Sequence, residues 1–385
     1  MSSNLTSSAK SIQMIKNKTS AFTILHTEWS FGWGGQEIRV LAESLAFKNR
    51  GISVKIAAQP DGQLIDRAKK AGIEVFPVRM HKGLNISAIW QLVKIIKNEQ
   101  INIIHTHSSV DHRLAGIAAR ICGKPIVRSR HLSTQISRSP ISKALYMKLA
   151  DRVITSGESI RQAMIKNNRM SSDHIVSIPA GIDTKQFSLK REMADIRPLF
   201  QIPRESFVVG IVGVLRSWKG HQDLIKATKH IRDKIPKLKV LIVGEGPQRS
   251  AIEQQVIEDK LSDIIILTGH QIDPAPFMKA MDVVVLPSYA NEATSQVLPQ
   301  AMAMRRPVIS TDIGSLPEVV INEKTGLSIQ PRDIDALAGA IIRLYNNREL
   351  RKKLATAGYA HVQSKFTFDR MVEATEEVYQ KLLAI

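Results

Sequence analysis

Pro287-Ser288-Tyr289-Ala290-Asn291-Glu292-Ala293-Thr294-Ser295-Gln296-Val297-Leu298-Pro299-Gln300-Ala301-Met302-Ala303-Met304 is the stretch whose reading decides the fold. An apolar run, Val283 to Leu286, leads into it, and a second strand-like run, Pro307 to Ser310, follows its apolar, helix-like second half. The pattern is strand, loop, helix, strand. In such a unit the loop sits at the carboxyl end of the strand, where the unpaired N–H groups and positive dipole end of the next helix form an anion site. Glu292 precedes the helix and Gln300 lies inside it, a spacing suited to holding two parts of one ligand. A carboxylate accepts hydrogen bonds from sugar hydroxyls, and an amide both donates and accepts. The other reading of the pair is a surface loop followed by a polar helix residue.

Outward from this stretch the same alternation repeats. Short apolar runs over 22–26, 53–58, 74–78, 102–107, 126–130, 153–156 and 175–179 are separated by helix-like segments, such as the face formed by Ile89, Leu92, Val93 and Ile96. The pattern restarts over 207–214, 240–243, 264–268, 283–286, 308–311 and 326–329. Strands alternating with helices predict parallel sheets covered on both faces, and therefore two doubly wound α/β domains. The expected division is a flexible tail over 1–20, a first domain over 21–187, a linker over 188–204 that carries Pro198 and Pro203, and a second domain over 205–368.

Composition narrows the class. With 385 residues and 43% apolar content, two cores of ordinary size can be built. The one cysteine, Cys122, permits neither an internal disulfide nor a cysteine metal cage, which fits a reducing, cytoplasmic setting. No apolar run approaches the length of a membrane span or a signal peptide core. A net charge of +19 predicts an anionic partner. Aromatic content of 5% and the lack of a long basic block argue against nucleic acid and for an anionic membrane surface carrying an anionic acceptor.

The run from Asp282 to Glu318 resembles the donor-site signature of retaining glycosyltransferases of GT-B fold and family-4 type, in which Glu-x7-Glu is followed by Ala-Met-Ala and later Gly-x-x-Pro-Glu. Here Glu292 matches, Gln300 replaces the second acid, Ala301-Met302-Ala303 follows, and Gly314-Ser315-Leu316-Pro317-Glu318 closes the pattern. The replaced acid holds a ribose in that family, a neutral hydrogen-bonding task open to an amide. The resemblance implies two Rossmann-like domains facing across a cleft, with residues 369–385 returning to the first. It also implies a nucleotide-sugar donor on the second domain and a lipid-linked or lipopolysaccharide acceptor on the first. The enzyme would work in the cytoplasm, peripherally on the inner face of the membrane.

Further residues follow from the resemblance. Gly213-Val214-Leu215-Arg216-Ser217-Trp218-Lys219-Gly220 resembles Gly-Arg-Leu-x-x-x-Lys-Gly, in which Arg and Lys grip the donor diphosphate. Lys219 matches, and Arg216 is expected to stand in for the arginine that Val214 replaces. Gly244 and His270 fall in loops beside the nucleotide, Gly35 in a loop facing the phosphates, and the N–H groups of Ser295 and Gln296 at the helix start. His107 and Glu292 are the expected catalytic pair, with His107 near the reacting sugar. Arg128, Arg130 and Arg138 bracket a loop suited to an anionic acceptor, with a solvated basic rim as the alternative.

Two features leave a metal open. His105 and His107 face one side of a strand with His112 nearby, yet no acidic or cysteine partner has ligand spacing. Asp333-Ile334-Asp335 has a metal-motif spacing but opens an apparent helix, where capping explains it better. No cofactor or essential metal is expected. The rival functions are a nucleotide-sugar epimerase on the same scaffold and a non-catalytic nucleotide-sugar binder.

Overall fold

A computed structural model describes residues 22–83, 85–131, 136–137, 139–290 and 292–384. The tail expected over 1–20 lies outside the described residues. The first half runs β1 (Thr23–Glu28), α1 (Gly35–Asn49), β2 (Ser53–Ala58), α2 (Gln63–Lys70), β3 (Glu74–Pro77), α3 (Ile86–Asn98) and β4 (Ile103–Thr106). It continues with α4 (Ser109–Ile121), β5 (Ile126–Arg130), α5 (Pro140–Met147), β6 (Arg152–Thr155), α6 (Glu158–Asn168) and β7 (Ile175–Ser177). These strands form a parallel sheet in the order β3-β2-β1-β4-β5-β6-β7.

The second half runs β8 (Phe207–Val212), α7 (His221–Ile231), β9 (Leu238–Val243), α8 (Arg249–Glu258), β10 (Ile265–Gly269), α9 (Ala275–Ala280), β11 (Val283–Leu286) and α10 (Val297–Ala303). There follow β12 (Val308–Thr311), α11 (Leu316–Val319), β13 (Leu327–Ile329), α12 (Ile334–Asn346), α13 (Arg348–Lys365) and α14 (Phe368–Leu383). Its parallel sheet has the order β10-β9-β8-β11-β12-β13. Every residue of β8, β11 and β12 is buried, as expected of central strands with helices on both faces. The expected strand over 207–214 ends early because Gly213 turns to φ +149° and takes the chain out of the sheet.

Residues 188–204 contain no helix or strand, yet Ile196 and Ile202 are buried with Val208 and Met281, so this segment lies against the second domain. The chain crosses between domains where Ile182 N–H donates to Phe366 O at 2.9 Å and Phe368 N–H donates to Ile182 O at 2.9 Å. Helix α14 then packs Met371, Val372 and Tyr379 against Phe22, Ile24 and Phe47 of the first domain. Each such side chain stabilises by about 1.5–3 kcal/mol relative to exposure. Asp333 Oδ1 accepts the Ala336 N–H at 2.8 Å and so caps α12, which accounts for the paired aspartates.

In each sheet the strand order reverses next to the first strand, between β1 and β4 and again between β8 and β11. Loops at the carboxyl ends of these strands diverge and leave a crevice, the usual ligand position in an open parallel sheet.

Candidate active site at the carboxyl edges of the two sheets

On the second domain, the loop after β8 and the loop after β11 are fastened to each other. Tyr289 N–H donates to Trp218 O at 2.9 Å. Gly220 has φ +79°, and a Cβ there would lie 2.1 Å from Pro287 O, so only glycine permits this approach. The result is an ion pair between Lys219 Nζ and Glu292 Oε1 at 2.6 Å, with the Glu292 side chain only 5% exposed. Ser288 Oγ donates to the same oxygen at 2.7 Å. Two glycine turns stack beside this pair. A Cβ on Gly244, which has φ +147°, would lie 1.9 Å from Gly213 O.

The other expected donor residues spread along this edge. Arg216 is exposed, with its guanidinium 5.2 Å from the centre of the Trp218 ring, and His270 is exposed just past β10. The expected helix start at Ser295 and Gln296 is corrected. Gln296 is the cap residue and the helix begins at Val297, since the first backbone closure is from Gln300 N–H to Gln296 O; Thr294 Oγ1, two residues before the cap, donates to Ser156 O of the first domain at 2.7 Å. Gln300, half-exposed, is the fourth residue of α10, and its N–H closes the first turn onto Gln296 O at 3.0 Å. Pro299 comes before that turn closes, where a missing N–H costs least.

On the first domain, a cavity of about 710 Å³ opens at the carboxyl ends of β1, β4 and β5. His107, Arg128, Arg130 and His131 line it, together with Trp29 and Tyr146. Arg128 is no solvated rim: it is 4% exposed, its guanidinium lies 3.7 Å from the centre of the Tyr146 ring, and it donates to Ser109 Oγ at 3.3 Å. Burial lowers its pKa from the ordinary arginine value. Arg130 donates to Tyr146 Oη at 2.9 Å. Arg138 lies outside the described residues. Gly35 is the first residue of α1; a Cβ there would meet nothing within 4 Å, and the cavity is lined by its neighbours Gln36 and Glu37 instead.

Beneath this cavity lies a chain of imidazoles. His105 and His107 share a face of the strand, as their spacing predicts, with ring centroids 4.3 Å apart. His107 Nε2 is 2.9 Å from His26 Nδ1, and His107 Nδ1 is 3.2 Å from His131 Nε2. His26 enters because β1 pairs with β4 in the register His26 to His105. His112 does not join them; it sits between Thr106 Oγ1 and Leu145 O, each 2.8 Å away. Burial lowers the pKa of His26 to about 3. Burial, reinforced by the neighbouring imidazoles, holds His105 and His107 well below the ordinary histidine value. At neutral pH the chain is uncharged.

One ring nitrogen each of His26, His105 and His107 lies within 4.8 Å of the others. Both His107 nitrogens are engaged by other imidazoles, and both His105 nitrogens by Tyr379 Oη and Ser129 Oγ, so an ion would displace existing hydrogen bonds. The three rings are thus packed together with hydrogen bonds already on His105 and His107, while His26 Nε2 is buried without a partner among the described residues.

Sequence reading missed Glu28 and Asp111. Glu28 Oε1 accepts the N–H groups of Trp29 and Ser30 at 2.9 and 3.0 Å, and Gln36 donates to Oε2. Burial, then the charge of Asp111, raises the Glu28 pKa to about 8. Asp111 accepts from His107 N–H at 2.8 Å and from Thr27 Oγ1 at 2.9 Å. A lone acid ending a strand carries no spacing signal, and only the β1–β4 pairing brings these two together.

Residues 33–186 match the family described as Glycosyltransferase Family 4, and residues 192–361 match Glycosyl transferases group 1. The capsular polysaccharide biosynthesis glycosyltransferase CapM of Staphylococcus aureus is 24% identical, over 89% of this chain and 92% of its own length. The Escherichia coli UDP-Gal:alpha-D-GlcNAc-diphosphoundecaprenol alpha-1,3-galactosyltransferase is 26% identical, over 87% of this chain and 91% of its own. Among solved structures, a Rickettsia africae glycosyltransferase superposes with a TM-score of 0.86 at 22% identity, covering 94% of this chain and 99% of its own. Anabaena HepE in complex with UDP gives a TM-score of 0.82 at 21% identity, covering 94% and 100%. A family 4 domain followed by a group 1 domain, folded as two Rossmann-like sheets with their carboxyl-edge loops in contact, makes this chain a GT-B glycosyltransferase.

Proposed function

We propose that the chain transfers a sugar from a UDP-sugar to an anionic lipid-linked saccharide of a bacterial surface glycan such as lipopolysaccharide, with retention of anomeric configuration. The observation that carries this reading is the pairing of Lys219 with Glu292 on the second domain, with the cation-lined, aromatic cavity of His107 and Arg128 on the first. The UDP donor and diphospholipid acceptor printed in the name of the Escherichia coli relative, and the UDP bound by HepE, support the two substrate classes.

In this reading Glu292 Oε1 holds Lys219 and Ser288, leaving Oε2 to accept from donor sugar hydroxyls. Lys219, Arg216 and the N–H groups of Ser295, Gln296 and the start of α10 neutralise the departing diphosphate, while Gly244, His270 and Gln300 border the nucleotide. The bond between the anomeric carbon and the diphosphate oxygen breaks, and the acceptor oxygen bonds to that carbon on the same face. The acceptor proton passes to the leaving phosphate. His107, held neutral by burial and with its two ring nitrogens engaged by His26 and His131, is a poor base and helps align the reacting sugar as a ring on the cavity wall. Arg128 and Arg130 bind the acceptor phosphate, and the backbone at Gly35, the first residue of α1, faces the donor phosphates. Two cations and a helix terminus balance the leaving charge without a divalent ion. Among the described residues no helix is long and apolar enough to cross a membrane, and peripheral attachment through basic side chains to the inner face completes the reading.

The test is transfer from UDP-sugars to a lipid diphosphate saccharide, with product anomer assigned by nuclear magnetic resonance. Glu292→Ala is expected to lower kcat by about 10²–10³, the scale of losing one preorganised charge contact, while Gln300→Glu stays active. EDTA is expected to leave transfer intact. Near-normal turnover of folded Glu292→Ala removes the catalytic assignment, and rescue by magnesium after EDTA removes the leaving-group account.

A further inference from the structure

Helix α6 opens at Gly157, which has no side chain with which to cap it. Its first N–H groups are satisfied from the other domain. Glu318 Oε1 accepts the N–H of Glu158 at 2.7 Å and of Ser159 at 3.2 Å. The glutamate lies on α11, at the end of the Gly314–Glu318 motif, and a carboxylate at a helix start is favoured by both the free N–H groups and the dipole. Ser315 Oγ is 2.6 Å from Ser159 Oγ. The fit is tight, since a Cβ on Gly157 would lie 2.2 Å from Ser315 Oγ and 2.7 Å from its Cβ.

The same contacts reach Glu292 from both sides. Gly314, at φ +55°, is packed so closely that a Cβ there would lie 2.0 Å from Glu292 O. Thr294, two residues past Glu292, donates to Ser156 O. The donor carboxylate is thus bracketed by residues anchored to the turn between β6 and α6 of the first domain.

We propose that Glu318 is a positioning residue: by capping α6 across the cleft, with Ser315 seated on Gly157, it sets the domain separation at which Glu292 meets an acceptor held in the first-domain cavity. Glu318 touches no substrate in this role. The proposal rests on the reading that transfer occurs between Glu292 and that cavity.

The experiment compares Gly157→Ala, Glu318→Ala, Glu318→Gln and the double variant Gly157→Ala/Ser315→Gly as full chains. It measures transfer kinetics, UDP affinity by calorimetry and cleft width by small-angle X-ray scattering. Gly157 has φ −177°, extended backbone that alanine adopts freely, so its variant tests the contact rather than the turn. Gly157→Ala and Glu318→Ala are expected to widen the cleft and lower kcat by about a hundredfold, the scale of misplacing reacting groups by an ångström, with UDP affinity unchanged. Ser315→Gly restores the Gly157→Ala enzyme by removing the clash, and Glu318→Gln, whose amide oxygen still accepts both N–H groups, retains most turnover. Full turnover of Glu318→Ala overturns the proposal, as does loss of UDP binding in parallel with turnover, or failure of the double variant to recover. Absence of transfer by the unaltered protein with every donor defeats the functional reading instead, while the scattering comparison still reports on the cap.

Discussion

Gly220 separates two questions that the sequence merges, which residues bind and what lets them meet. Lys219-Gly220 is legible as a motif, but the contact of Lys219 with Glu292 exists only because Gly220 carries the chain within touching distance of Pro287 O. Gly220→Ala faces both an unfavourable positive φ and a clash with backbone. It is expected to destabilise by about 1–3 kcal/mol and to draw Lys219 away from Glu292, cutting transfer more than stability. Urea unfolding alongside the transfer assay checks this; wild-type turnover would show that the ion pair is dispensable. Arg216 shows the limit of reading a motif: it occupies the expected loop, yet it stacks on Trp218, exposed to solvent.

At the scale of elements, the strands were legible because central parallel strands are continuous apolar runs, and all thirteen occur where the alternation placed them. Their pairing was not legible. Helix α14 brings Tyr379 from the far end of the chain against Phe47, with its hydroxyl 2.5 Å from His105 Nδ1. Burial raises the Tyr379 pKa well above the ordinary value, so the phenol keeps its proton and donates it. Tyr379→Phe leaves His105 Nδ1 buried and unpaired, a cost of about 1–3 kcal/mol. The expected result is a lower unfolding midpoint and a smaller loss of kcat, because the disturbance reaches His107 through its stacked neighbour. An unchanged midpoint would show that the hydroxyl carries no stability.

Across the whole molecule, the buried imidazoles and the net charge each give a solution behaviour. The unfolded chain protonates its histidines near 6.5, whereas His26 and His112 do so only at about 3 when folded. Their stabilisation is therefore complete above pH 6.5 and is lost as pH falls through the window from 6.5 to 3, by about 2 kcal/mol per histidine at pH 5. Glu28 acts in the opposite sense, its stabilisation fading as pH rises from 4.5 to about 8, but one carboxyl is outweighed by the histidine group. The melting temperature is expected to fall steeply between pH 7 and 5, and less steeply in His112→Asn; a flat profile contradicts the buried neutral chain. The charge of +19 predicts sedimentation with anionic vesicles at low salt and release at high salt, with each nearby basic side chain contributing about 1 kcal/mol. Equal binding to neutral vesicles would remove the electrostatic account and leave the enzyme assignment standing.

What the sequence by itself determined were the properties that reside in short spans: two doubly wound domains, the loop of Glu292, Lys219 with its glycine, and the paired faces of His105 and His107. Their signal is local because strand period, helix period and turn chemistry act over a few residues. Only the tertiary structure decided that His26 and His131 bond to His107, that Glu28 is held beside Asp111, and that Glu318 caps a helix 160 residues away in the other domain. Those contacts depend on strand register and domain docking, set by the summed burial of two cores rather than by any pattern within the segments they join.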